Sequence, residues 1–210
     1  MNYDNPEPLA FVTPVGEFRY SWLVEPDTKF DKCDYKVEVL IPAEKGAKIV
    51  DDLEAYLTEW KQACMKARPS KTDWKTVESL PWGTDEDSEG KACVKLKCKR
   101  KAKGIRKGSN PPEAWEFKVP IFDSKGCPVS DRSQLQKLGP GSTGRVSLQA
   151  RPYDAPLGVG LTLSIQSVQI TKVVEYTGQP SEKFDAVEGG WTENQAEVAE
   201  ITTQQAVGDW

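Results

Sequence analysis

Tyr35-Lys36-Val37-Glu38-Val39-Leu40-Ile41-Pro42 opens with apolar and charged side chains in alternation and closes on a proline. Alternation at period two marks a strand with one buried face, and proline ends it. The period then changes. Ile49, Val50, Leu53, Tyr56, Leu57, Trp60 and Cys64 recur at the helical spacing, which predicts one amphipathic helix from about Ala47 to Lys66. Pro69 stands just past that helix, and Asp51, Asp52, Glu54, Glu59, Lys61 and Lys66 supply its solvated face.

On either side of this strand–helix unit the pattern is β. Residues 8–24 read as extended, with Phe18, Tyr20 and Trp22 as an aromatic stripe at strand period. Residues 69–90 read as a long loop. Val94, Leu96 and Cys98 then alternate with Lys95, Lys97 and Lys99, and 101–112 reads as a basic loop bearing Gly104, Gly108, Pro111 and Pro112. Trp115 to Phe122 is extended, and Asp123-Ser124-Lys125-Gly126 signals a turn. Val146, Leu148 and Ala150 give another alternating strand. In the last one Val159, Leu161, Leu163 and Ile165 share a phase that Val168 and Ile170 shift by one, as a bulge would.

Five or more short strands around one helix lose their edges best by closing. The expected fold is therefore mainly β: an oligonucleotide-binding (OB) five-stranded antiparallel barrel with extra strands and one capping helix, over residues 1–176. Residues 177–210 carry no core pattern and are expected to form a disordered acidic tail.

Composition narrows the function. A chain of 210 residues can bury one good core, and no apolar run approaches the ~20 residues of a membrane span. The N-terminus has no basic-then-apolar signal pattern, which points to a cytosol. The five cysteines fit no tight metal pairing and read as reduced packing thiols. There is no histidine, which removes Ser-His-Asp and Cys-His nucleophiles and His-ligated zinc. Neither a cofactor nor a metal is expected. No G-x-x-x-x-G-K-[ST] loop offers a nucleotide site. Pro26-Asp27 and Glu116-Phe117-Lys118 resemble fragments of metal-dependent nucleases, but they lie 89 residues apart and each is common by chance. The chain is read as no enzyme.

Charge is sorted along the sequence. The net charge is -4, yet residues 91–151 hold 15 Lys or Arg against 4 Asp or Glu, while the last 30 residues sum to -6. A basic body with an acidic tail suggests a protein that binds a polyanion and carries a substitute for it. Between Lys95 and Lys107, eight of 13 residues are basic. A solvated sheet face would explain some of this. However, strand period puts Lys95, Lys97 and Lys99 on one side, ~7 Å apart, where they repel unless an anion covers them. The expected phosphate contacts are Lys95, Lys97, Lys99, Arg100, Lys101, Arg106, Lys107, Arg145 and Arg151. Small barrels use most aromatics as core, but lysines interleaved with aromatic faces are what single-strand binding needs. Tyr153, which follows Arg151-Pro152 and has no obvious core partner, leads that group, with Trp22, Trp115 and Tyr20 behind it.

Over most of residues 8–176 the chain resembles the single-stranded DNA-binding proteins of T7-like and related tailed phages. The likeness rests on Tyr20-Ser21-Trp22-Leu23-Val24-Glu25-Pro26-Asp27, on Tyr35 to Pro42 leading into the helix, and on Val94-Lys95-Leu96-Lys97-Cys98. It continues through Val119-Pro120-Ile121-Phe122-Asp123-Ser124-Lys125-Gly126 and Arg151-Pro152-Tyr153. It implies an OB barrel that coats single-stranded DNA during phage replication and recombination in the cytoplasm of the infected bacterial host, often as a homodimer. It also implies an acidic tail that competes with DNA and recruits a polymerase or primase-helicase. Asp209 and Trp210 would be the tail's contact, although family tails are denser in acid and end in phenylalanine. An RNA-binding OB protein shares these features, and a strand-annealing recombination mediator is close kin.

Overall fold

The alternating segments of the sequence close into a ring of five strands in the computed structural model, which describes residues 6–29, 33–106, 108, 111–135 and 138–175. Strand β1 (Leu9–Val12) leads to β2 (Gly16–Asp27), β3 (Asp34–Pro42) and helix α1 (Ala43–Ala67). There follow β4 (Trp82–Glu86), β5 (Ala92–Lys101), β6 (Lys103–Arg106), β7 (Glu113–Glu116), β8 (Ile121–Phe122), β9 (Thr143–Ala155) and β10 (Gly158–Lys172). The ring runs β2–β3–β5–β10–β9 and returns to β2. Four of its seams are antiparallel; β5–β10 is parallel, with Leu163 opposite Cys98 and Ser164 opposite Lys99. This is the OB barrel expected from the pattern, with β1, β4 and β8 added at its margins.

The inward positions build the core. Val37 and Val39 of β3, Leu96 of β5, Leu148 of β9, and Leu163 and Ile165 of β10 are essentially inaccessible. Each such side chain contributes roughly 1.5–3 kcal/mol through burial. Leu53, Tyr56, Leu57, Trp60 and Cys64 of α1 pack on this core with the predicted spacing. Among the described residues no helix is long and apolar enough to cross a membrane. All five cysteines are free, and burial pushes the Cys98 thiol well above its ordinary pKa.

Four local expectations need correction. The helix starts at Ala43, one turn before the apolar period begins, because Gly46 lets that turn settle onto β5. A Cβ there would lie 2.6 Å from Val94 Cβ, so the close approach depends on glycine.

Residues 82–86 form a strand, not part of a loop. They pair with Ala92 to Leu96, held by a turn in which Asp87 Oδ1 accepts from the Glu89 and Lys91 amides. Trp-Gly-Thr-Asp-Glu lacks alternation since both its faces are largely solvated. Likewise Lys103–Arg106 and Glu113–Glu116 pair as a two-stranded ribbon, β6–β7, whose basic and glycine residues hide its period.

The stripe of Phe18, Tyr20 and Trp22 does not share one face. Arg19 lies opposite Glu38, but Trp22 lies opposite Lys36, so β2 carries one extra residue there. This bulge turns Phe18 inward and leaves Tyr20 and Trp22 outside.

Candidate nucleic-acid interface

The outward face of the ring carries rows of side chains set by register. In the antiparallel β3–β5 pair, Asp34 stands opposite Lys101, Lys36 opposite Lys99, and Glu38 opposite Lys97. Trp22 extends the middle row on one side and Ser164 on the other. The charges of β3 and β5 therefore sit between two aromatic groups contributed by other elements.

Two clefts open on this face. The larger, about 500 Å³, is bounded by Lys99, Arg100, Lys101, Trp115, Arg151 and Tyr153, with Asp34 and Thr162 at its edge. The hairpin β9–β10 brings Tyr153 there, directly opposite Gly160. A Cβ on Gly160 would lie 2.6 Å from Tyr153 Oη and 2.7 Å from Cζ, so the phenol ring rests on bare backbone. Trp115 arrives from the ribbon, opposite Gly104. The second cleft, about 310 Å³, is lined by Tyr20, Trp22, Asp27, Lys36, Glu38, Lys97 and Lys99. Lys99 belongs to both.

The predicted residues divide accordingly. Lys97, Lys99, Lys101, Arg151, Tyr153, Trp115, Trp22 and Tyr20 are brought together around the clefts. Arg100 lines the larger cleft but is anchored from behind. Its guanidinium lies 3.9 Å from the Phe117 ring centroid and donates to the Ile165 carbonyl at 3.2 Å. Burial, and then the nearby Arg151, lower its hold on its proton.

Lys95 is not in either cleft. Strand β4 places Asp85 against it, with Nζ to Oδ2 at 2.5 Å, and the pair lowers the aspartate's pKa while raising the lysine's. Arg106 sits on the ribbon and pairs with Glu113 at 3.2 Å. Arg145 lies six residues along β9 from Arg151, roughly 20 Å away, and donates to the Thr13 carbonyl. Lys107, Asp209 and Trp210 lie outside the described residues.

Sequence reading missed Lys36. Its phase in β3, outward beside Glu38, was the available signal, but its single positive charge between acids drew no attention. Lys36 Nζ donates to Asp27 Oδ2 at 2.8 Å, and this bond, with the Lys29 amide on Oδ1, holds the Asp27 carboxyl below its ordinary pKa. Asp27 thus carries its charge in an ion pair with Lys36.

Aromatic faces framed by cations on a barrel surface suit single-stranded nucleic acid, since bases stack while phosphates meet the cations. The fold is the one found in phage single-stranded DNA-binding proteins. Gp2.5, the single-stranded DNA-binding protein encoded by bacteriophage T7, superposes with a TM-score of 0.66 at 20% identity, covering 89% of this chain and 99% of that one. The single-stranded DNA-binding protein of bacteriophage Enc34, solved in complex with single-stranded DNA, gives 0.53 at 12% identity, covering 80% of this chain and 88% of that one. A further structure of the Enc34 protein gives 0.52 at 12% identity over 89% of this chain and 88% of its own. No protein-family profile and no curated protein sequence matches the chain.

Proposed function

We propose that this protein binds and coats single-stranded DNA during phage DNA replication and recombination, acting without catalysis in the cytoplasm of the infected host. The observation that carries this reading is the convergence of Tyr153 and Trp115 with Lys99, Lys101 and Arg151 in one open cleft. These residues come from three different strands, β5, β7 and β9, and meet only in the folded protein. The T7 and Enc34 proteins, which share the fold, are single-stranded DNA-binding proteins.

The test is fluorescence anisotropy with a labelled oligo-dT of ~30 nucleotides against duplex of equal length. Each cation that meets a phosphate lowers the log–log salt slope by about 0.7. Lys97, Lys99, Lys101 and Arg151 together give an expected slope of roughly -3. Strong preference for the single strand with that slope supports the reading. Equal binding to duplex would reduce the surface to a phosphate attractant and remove the coating function.

The tail, at -6 over the last 30 residues, belongs to the same reading as a competitor for this face and as the contact, through Asp209 and Trp210, for replication proteins or a second copy of the chain. Removing residues 177–210 is expected to tighten oligo-dT binding, most clearly at low salt, where the competing charge is least screened. Unchanged affinity at low salt would exclude competition.

A further inference from the structure

Lys36 and Lys99 stand directly opposite one another in an antiparallel pair, which brings their Cα atoms to within ~4.5–5.5 Å. Like charges so placed destabilise a sheet. The flanking outward pairs of the same ladder, Asp34 with Lys101 and Glu38 with Lys97, each match an acid with a base. The ladder thus reads neutral, doubly positive, neutral, and the doubly positive step lies where the two clefts meet, since Lys99 lines both. Trp22 flanks Lys36 on one side, and Ser164 leads toward Tyr153 on the other. The Asp27 carboxylate, 2.8 Å from Lys36 Nζ, is the one carboxylate in ion-pair contact with this pair among the described residues.

We propose that Lys36 and Lys99 form one seat for a single phosphate, the one that links a base stacked in the Tyr20–Trp22 cleft to a base stacked in the Tyr153–Trp115 cleft, and that Asp27 stands in for that phosphate when DNA is absent. The proposal rests on the reading that this face binds single-stranded DNA. It assigns the backbone a fixed register: the neutral steps on either side attract phosphate less, so the strand crosses the barrel with its linking phosphate over residues 36 and 99. Asp27 is a positioning residue. It holds the Lys36 ammonium, whose side chain is 35% exposed, at the surface of the cleft and competes for it.

The experiment measures oligo-dT affinity as a function of salt for wild type, Lys36→Gln, Lys99→Gln, the double variant and Asp27→Asn. A shared seat predicts that the double variant flattens the log–log slope by about 0.7, one phosphate, and not by the roughly 1.4 that two independent contacts would give. Asp27→Asn is expected to bind more tightly than wild type, with a slope steeper or unchanged, because an anion leaves the cleft while Lys36 remains. A slope change near 1.4 in the double variant, or weaker binding by Asp27→Asn, would overturn the proposal. Wild-type protein that fails to prefer single strands would instead overturn the underlying function, so the two failures are distinguishable.

Discussion

Tyr153→Ala is expected to weaken oligo-dT binding by roughly 5- to 150-fold, the ~1–3 kcal/mol that one stacked base contributes. Tyr153→Phe should retain most of the affinity, because stacking needs the ring and not its hydroxyl. Loss of a ring also uncovers Gly160, so alanine alone does not separate stacking from a disturbed hairpin. Gly160→Ala makes that separation. Its methyl would meet Tyr153 Oη and Cζ inside 3 Å, and Val77 Cγ2 at 2.9 Å, which displaces side-chain ends while Tyr153 itself stays in the chain. It is expected to weaken binding in the wild-type background and to add nothing once Tyr153 is alanine, since the two sites act through one ring. A further loss in the Tyr153→Ala background would mean that residue 160 acts through the hairpin backbone instead.

The barrel was legible because its strands obey period two and its helix period 3.6, both enforced by a single core. Val37 and Val39, or Leu161 and Leu163, could be assigned to the inside from spacing alone. The phase slip after Ile165 was also visible, and it is the β9–β10 register shift between Ile165 and Ser167. The bulge in β2 was not. Phe18, Tyr20 and Trp22 keep perfect alternation through it, so nothing local distinguishes the buried ring from the exposed ones. The cost of the bulge is a backbone matter that sequence period does not record.

The cations of the site were legible as a class and poorly legible as individuals. Strand period placed Lys95, Lys97 and Lys99 on one face, which is how they lie. Whether a lysine is available depends on what stands opposite, and that is long-range information. Lys95 meets Asp85 because β4, an edge strand with no alternation, folds back over β5. Lys36 escaped notice for the converse reason: its importance comes from facing Lys99, 63 positions away in the sequence.

Tyr20→Gly and Tyr20→Ala are expected to lose affinity alike, by the stacking contribution of one ring, while differing in stability. Tyr20 has φ +48°, and among the described residues it is the one non-glycine with positive φ. The left-handed region costs an L residue ~1–2 kcal/mol, and Tyr20, at 76% exposure, has little burial to offset that. Strain held at an exposed aromatic points to a function that needs the ring there. Glycine relieves the strain and loses part of the gain, ~0.5–1 kcal/mol, to its freer unfolded chain. Alanine keeps the strain without the ring. The glycine variant should therefore melt above the alanine variant, by roughly 1–4 °C for a chain of this size. Equal melting temperatures would place the strain elsewhere than at residue 20. If both variants bound like wild type, the second cleft would have Trp22 as its stacking surface, and the bulge would serve only to turn β2 around the barrel.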